Sequence, residues 1–256
     1  MLSGVVPKLS YTLSNSGYST RKVLWSIPGQ FFSGIPAWYH MSGYKEGVNT
    51  SIQRITASIR GYLMLPVAQA AVYPRLGVGL ETGYSFRPGL TNMFSPNFYL
   101  YGYGYLPGLW LPQGLRLTGI YQQQFNRKDF QFGEMYASVL PRGFSGSVGA
   151  QVAYEYSTQY RVTADYAIPI YVGDLSLGPV TYIKNFLLTP HFDFTGFQGG
   201  NLWSAGADLS AQIGHLFFIN FDGSVGVSFS YLGGSWYSNV AEGKPFSVSM
   251  IFSFDI

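Results

Sequence analysis

Few side chains in this chain of 256 residues have the types and spacing that catalysis needs. It contains no Cys and three His, which excludes thiol chemistry. One local pattern joins an acid to a base, His191 and Asp193 in the stretch "HFD". Residues two apart in a strand share a face, so this carboxylate could orient the imidazole as in a hydrolytic triad. No nucleophile can be named from the sequence, and side chains packed inside the fold are the simpler explanation.

A larger set of charged residues recurs at alternate positions in segments rich in Gly, Ser, Thr and Gln. The set comprises Arg54, Arg60, Arg75, Glu81, Arg116, Glu155, Arg161, Asp165, Asp193 and Asp208. Because both signs of charge occur among small side chains, we expect these residues to line a narrow polar interior and to pair there.

Other chemistries find little support. The glycines of "GVGLETG" (77–83) lie within a strand pattern with no helix after them, so a phosphate loop is not indicated. Metal sites need clustered ligands, and no such spacing occurs. The net charge is only +3, with no basic cluster typical of nucleic-acid binding. The sequence therefore predicts no cofactor, no metal and no nucleic-acid partner.

The elements that must position these residues are strands, since alternation with a period of two recurs almost everywhere. In "SVSMIFSFDI" (247–256) one face carries Val, Met and Phe and the other mostly Ser. The pattern predicts about twelve strands, with a range of 10–14. They are 3–13, 17–26, 50–65, 70–85, 97–106, 113–125, 144–157, 160–171, 180–196, 202–216, 223–232 and 246–255.

Composition decides which face of these strands looks inward. Charged residues make up 11% of the chain and aromatic residues 18%, whereas soluble domains carry about 25% charged residues. A soluble β-sandwich would bury the apolar face, but a membrane barrel turns it toward lipid and keeps the polar face inside. We therefore expect an all-β fold: a transmembrane antiparallel up-and-down β-barrel in which 1–256 form a single domain. No signal peptide is visible, so an exported chain has lost it or is the C-terminal part of a longer protein.

Connections and aromatic residues complete the expected barrel. "NSG" (15–17) reads as a hairpin turn, and 27–49, 126–143 and 233–245 as surface loops or an inward-folded plug. Tyr and Trp near strand ends fit the aromatic girdles of membrane barrels. They are Trp25, Tyr39, Tyr99, Tyr101, Tyr103, Tyr105, Trp110, Trp203 and Trp236.

Three stretches carry a resemblance to a known group of proteins. They are "LPRG" (140–143), "AIPIYVGDLSLGPVTYIKNFLLTPHFDF" (167–194) and "SAGADLSAQIGHLFFINFDGSVGVSFSY" (204–231). Over roughly the last 115 residues, the chain resembles the C-terminal barrel region of outer-membrane proteins of Bacteroidota-type bacteria. These include proteins with TolB-like propeller repeats and, more distantly, bacterial surface antigen barrels. The resemblance implies a barrel in a Gram-negative outer membrane and no defined activity.

Two functions follow as expectations. The first is non-enzymatic: a porin-like narrow pore in outer-membrane lipid, or a membrane anchor for a periplasmic domain or partner protein. The alternative is an outer-membrane hydrolase, lipase-like or protease-like, with His191 and Asp193 on the barrel wall. A serine or second acid within reach of His191 would favour the alternative.

Overall fold

The fold is an antiparallel sheet of eleven strands. The computed structural model describes residues 2–16, 50–66, 71–87, 95–125, 139–144, 148, 151–152, 155–172, 175–176, 178, 181–216, 219–237 and 245–255. The strands are β1 (Leu2–Ser16), β2 (Thr50–Met64), β3 (Gly77–Phe86), β4 (Asn97–Pro107), β5 (Gly114–Gln124), β6 (Thr158–Ile170), β7 (Leu175–Ser176), β8 (Thr181–Phe197), β9 (Gly200–Leu216), β10 (Ile219–Gly233) and β11 (Phe246–Asp255). Among these residues, no helix has the length and apolar character needed to cross a membrane.

The strands follow one another as a meander. Each pairs with its neighbours in chain order, except that β6 pairs directly with β8 and the short β7 lies beside β8. Strands β1 and β11 form the two edges, and no pairing joins them within the described residues, so the sheet is open. The sequence thus predicted the all-β antiparallel architecture, while closure into a barrel is not part of the observed fold.

Several predicted boundaries are wrong. Asn15 and Ser16 of "NSG" continue β1 as far as the pair Ser16–Thr50 and do not turn, while Gly17 lies outside the described residues. Strand β3 begins at Gly77, seven residues after the expected start. None of the described residues of the expected strand 144–157 is in a strand. Its described residues include helical positions, and the amide of Tyr156 donates to the carbonyl of Val152 as in a helical turn. The expected strand 17–26 lies outside the described residues.

The two faces of the sheet differ as the alternation predicted. One face, here called the apolar face, exposes large hydrophobic side chains on neighbouring strands: Val162 is 51% exposed, Phe192 47% and Leu209 49%. The polar face buries charged side chains between those positions, and Asp165 and Asp193 are both 0% exposed. In a sheet surrounded by water, the apolar side chains would be buried and the charged ones exposed, because apolar groups gain most from leaving water.

The tyrosines of β4 do not form a girdle, which corrects the interpretation from sequence. Tyr99 and Tyr103 are buried on the polar face, Tyr99 near the start of the strand and Tyr103 near its middle. Each lies over a glycine of β3, since Tyr99 pairs with Gly83 and Tyr103 with Gly79. A Cβ at either glycine would overlap the tyrosine ring, so these glycines make room for the aromatic rings. Trp236 is likewise buried in a core cluster.

That core cluster fixes a segment of chain across the polar face. Residues 139–144, here called the strap, precede the helical positions Val148 and Val152. Both valines pack with residues of the β8–β9 turn and the segment after β10; the whole cluster is Leu140, Val148, Val152, Phe197, Leu202 and Trp236. The hydroxyl of Thr195 on β8 also donates to the carbonyl of Val139. The strap is therefore anchored by packing and by hydrogen bonds to the sheet.

Candidate functional site: the polar face beneath Arg142

Arg142 is the centre of the polar face, and it comes from the strap rather than from a strand. Its backbone N–H and Nε donate to Oδ2 of Asp193 at 3.0 and 2.9 Å. Its Nη1 donates to Oδ2 of Asp208 at 3.0 Å, and its Nη2 donates to Asp165. One guanidinium thus joins β6, β8 and β9, which supply one aspartate each. The planar fork of arginine suits such multiple carboxylate contacts.

Two of the aspartates that Arg142 contacts are buried, so their negative charges must be compensated. Asp165 and Asp193 are fully buried, and a buried carboxylate is tolerated only when it is paired and hydrogen-bonded. Burial alone would lower the pKa of Arg142, but the hydrogen bonds and charges of Asp193 and Asp165 outweigh it and raise that pKa above its ordinary value. Arg142 therefore keeps its charge at every pH at which the protein is studied.

Two strand arginines complete the network. Nη2 of Arg116 on β5 donates to Oδ2 of Asp165 at 2.6 Å, and Nη2 of Arg161 on β6 donates to Oδ1 of Asp193 at 3.1 Å. Three guanidiniums therefore meet three carboxylates, as the expected pairing of opposite charges requires. The sequence predicted the strand residues of this network and missed Arg142, which lies outside any strand.

His191 does not use the partner that the sequence indicated. Asp193 is held by Arg142 and Arg161, whereas Nδ1 of His191 lies 3.4 Å from Oδ1 of Asp208 without forming an aligned hydrogen bond. On the other side of the ring, Nε2 lies 3.2 Å from Oγ of Ser230. A serine, a histidine and an aspartate are thus in line, although the sequence had named neither Ser230 nor Asp208 as a partner of His191.

The register explains this juxtaposition. His191 pairs with Gly206 on β9, and Gly206 pairs with Ser230 on β10. His191 and Ser230 therefore flank Gly206, where a Cβ would overlap the backbone of Phe229, and the imidazole reaches Ser230 from two strands away. The strap covers the group: a Cβ built on Gly143 would lie 3.1 Å from Cβ of Ser230. Ser230 is 1% exposed, so the group has no open path to substrate in this conformation.

Two other predicted residues lie on the polar face but away from this network. Arg60 donates through Nη2 to the hydroxyl of Tyr103 at 2.6 Å. Glu81 accepts a hydrogen bond from the hydroxyl of Tyr99 at 2.9 Å. Tyrosine hydroxyls thus take part in the charge pairing that the sequence had assigned to acids and bases alone.

The remaining predicted residues are not on described strand faces. Arg75 lies in the connection before β3 and is exposed. Glu155 is exposed at a helical position and accepts a hydrogen bond from Nε2 of Gln151 at 3.0 Å. The backbone of Arg54 belongs to β2, but its side chain lies outside the described residues.

Comparison with known proteins adds no family to this picture. No protein-family model, no curated protein and no solved structure matches the chain. Within the described parts of the chain, no group of three His, Cys, Asp or Glu side chains is placed to hold a metal ion.

Proposed function

We propose that this chain is an integral outer-membrane β-barrel of the kind that its C-terminal half resembles. It acts as a narrow pore, or as a membrane anchor for a periplasmic domain or partner protein. Outer-membrane lipid surrounds the apolar face, and the polar face lines the interior. The strap lies inside and narrows it.

The observation that carries this proposal is the burial pattern of the strands. On β8, Phe192 is half exposed while its neighbours His191 and Asp193 are buried. The same pattern continues on β10, where Val227 and Phe229 are exposed and Ser228 and Ser230 buried. Exposed apolar surface that is continuous across many strands marks contact with a membrane or another protein. Alternation of apolar outside with polar inside is the signature of membrane barrels.

Closure of the sheet between β1 and β11 is part of the proposal. In hydrocarbon every backbone N–H and C=O needs a partner, so an open edge is not tolerated there. The continuous path contains ten strands of alternating direction. Strands β1 and β11 consequently run in opposite directions and can pair as antiparallel neighbours.

The lengths of the connections support one orientation. At one end of the sheet the chain passes from β2 to β3, β4 to β5, β6 to β8 and β9 to β10, with 12, 6, 10 and 2 residues between the strand bounds. At the other end it passes from β1 to β2, β3 to β4, β5 to β6, β8 to β9 and β10 to β11, with 33, 10, 33, 2 and 12 residues. Bacterial membrane barrels have short turns on the periplasmic side and longer loops outside. The first end is therefore the periplasmic one in this proposal, and the strap enters the interior from the outer side.

Insertion into phospholipid vesicles tests membrane location. We expect the refolded chain to float with vesicles through a density gradient, to resist extraction by urea, and to migrate differently in electrophoresis before and after boiling. A chain that stays folded and monodisperse in plain buffer, with no vesicle association, would contradict the proposal.

Single-channel recording in planar bilayers separates pore from anchor. Wild type is expected to give small current steps or none, because the strap and its arginine occupy the interior. Arg142→Ala should give larger steps, since it removes the contact that holds the strap to three strands. Arg75→Ala is the matched control, because that arginine is exposed in a connection. If neither the wild type nor either variant gave current steps, the anchor would be favoured over the pore.

A second candidate function is hydrolysis, and one observation favours it. Ser230, His191 and Asp208 have the order of partners of a serine hydrolase, with 3.2 Å from Nε2 to Oγ and 3.4 Å from Nδ1 to the carboxylate. Such a group would use Ser230 as nucleophile and His191 as general base. It requires displacement of the strap, because the serine is buried.

Labelling with a serine-reactive fluorophosphonate tests the hydrolase. If the group is active, mass spectrometry should locate the adduct on Ser230, and His191→Ala should abolish labelling. Arg142→Ala should accelerate labelling by freeing the strap. Ser157→Ala is the control, because its hydroxyl donates to Oε1 of Gln198 at 3.5 Å, away from His191 and Asp208. If no adduct forms on Ser230 even in Arg142→Ala, the constellation is structural.

A further inference from the structure

A cavity of about 410 Å³ lies on the polar face beside the strap. Strands β4, β5 and β6 and the strap supply its walls. Its polar lining includes Arg116, Arg142 and Arg161, together with the hydroxyl groups of Thr118 and Thr163. Polar and apolar atoms contribute about equally to the lining, and the polar part consists largely of hydrogen-bond donors.

The charges of the network are arranged unevenly around this cavity. Three guanidiniums line it, but only one of their carboxylate partners, Asp165, does so. Asp193 and Asp208 contact Arg142 from positions that are not part of the cavity wall. The network as a whole is balanced, yet the surface that it presents to the cavity is positive.

The strand arginines also retain donors. Arg161 uses Nη2 for Asp193, while its Nε is buried and has no hydrogen-bond partner in the part of the chain that the structure describes. Arg116 directs both Nε and Nη2 to the same oxygen of Asp165, at 3.1 and 2.6 Å. A buried donor without a partner is unfavourable for the folded state. Neutralisation of the aspartates explains why the arginines are present, but it explains neither this donor nor the space.

We propose that the cavity binds a small soluble oxyanion, such as phosphate or the phosphate group of a small ester. Arg116 and Arg161 hold the oxyanion, and the hydroxyls of Thr118 and Thr163 contribute further hydrogen bonds. Guanidinium groups bind phosphate through parallel charge-assisted hydrogen bonds. This inference goes beyond the proposed pore or anchor and does not rest on it, because the cavity belongs to the polar face whether or not the sheet lies in a membrane.

Calorimetric titration of the full-length, detergent-folded chain with inorganic phosphate tests the inference. Wild type should show saturable binding, and Arg161→Gln should weaken it about tenfold, the loss expected for one charge-assisted hydrogen bond. Arg60→Gln is the matched control and should bind as wild type does, because this arginine also lies on the polar face but contacts Tyr103 outside the cavity.

A second variant covers the case in which Arg161→Gln fails to fold. Thr118→Phe places an aromatic ring in the cavity, removes the Thr118 hydroxyl and keeps all three guanidiniums and their carboxylates, so it should weaken phosphate binding at least tenfold while the fold is retained. Glycerol 3-phosphate and a short-chain phosphatidic acid distinguish a soluble ester from a lipid headgroup. No saturable binding of phosphate to wild type, equal affinity in Thr118→Phe, or binding of the phosphatidic acid alone would each overturn the proposal.

Discussion

Arg142→Ala is expected to lower the free energy of unfolding by about 3–5 kcal/mol, the cost of removing one partner from a buried ion pair. Asp165 and Asp193 are fully buried. Without Arg142, each retains one strand arginine, and Asp193 also loses the hydrogen bond from the strap backbone if the strap moves. The measurement is equilibrium unfolding by urea of the protein folded in detergent or vesicles.

Two variants show whether the effect belongs to the guanidinium. Arg142→Lys keeps the charge but lacks the planar fork that reaches three carboxylates. Its free energy of unfolding should therefore lie between that of wild type and that of Arg142→Ala. Arg75→Ala removes an exposed arginine from a connection and should change stability by no more than about 0.5 kcal/mol. If Arg142→Ala also cost so little, the strap would not be a structural element of the fold.

Leu209→Arg is expected to lower the free energy of unfolding in vesicles by about 2–4 kcal/mol, the cost of an arginine at the bilayer midplane. Leu209 lies near the middle of β9, pairs with Leu188 and Val227, and is 49% exposed on the apolar face. In water the same substitution at a half-exposed position would cost little. The size of the effect therefore reports what the apolar face contacts.

The matched control is Leu109→Arg. Leu109 is 80% exposed in the connection between β4 and β5, outside the strands that would cross hydrocarbon. We expect this variant to insert and to unfold nearly as wild type does. Equal and small effects at both leucines would show that the apolar face meets water rather than lipid. The comparison thus addresses membrane location separately from the strap and the cavity.

The strand faces could be predicted because the alternation is strong and consistent between neighbouring strands. Within 203–213 of β9 and 225–231 of β10 every second residue is apolar, and the structure exposes Leu209 and Val227 while burying Ser228 and Ser230. A period of two fixes which residues share a face, so the acids Asp165, Asp193 and Asp208 were expected on one side. Their arginine was not, because sequence alternation carries no information about a segment that crosses the sheet.

The segment after the strap shows why alternation can mislead. Val148, Val152 and Tyr156 are spaced by four residues, which places them on one face of a strand and equally on one face of a helix. The described positions of this segment are helical, and both valines pack into the core cluster.

The interpretation of the β4 tyrosines as a girdle was wrong for another reason: the position of their rings depends on the glycines of β3 beneath them. That match becomes visible only once the register of the two strands is known.

The position of Arg142 in the chain also determines at which stage of folding the ion pairs that fix the strap can form. Its acidic partners follow it by 23, 51 and 66 residues, so their ion pairs form only after β6, β8 and β9 have aligned. Contacts with such separations in sequence are made late, because the loops between them must first be closed. Interactions formed after the transition state slow unfolding and leave the folding rate almost unchanged. The strap therefore governs how long the native state persists rather than how fast it is reached.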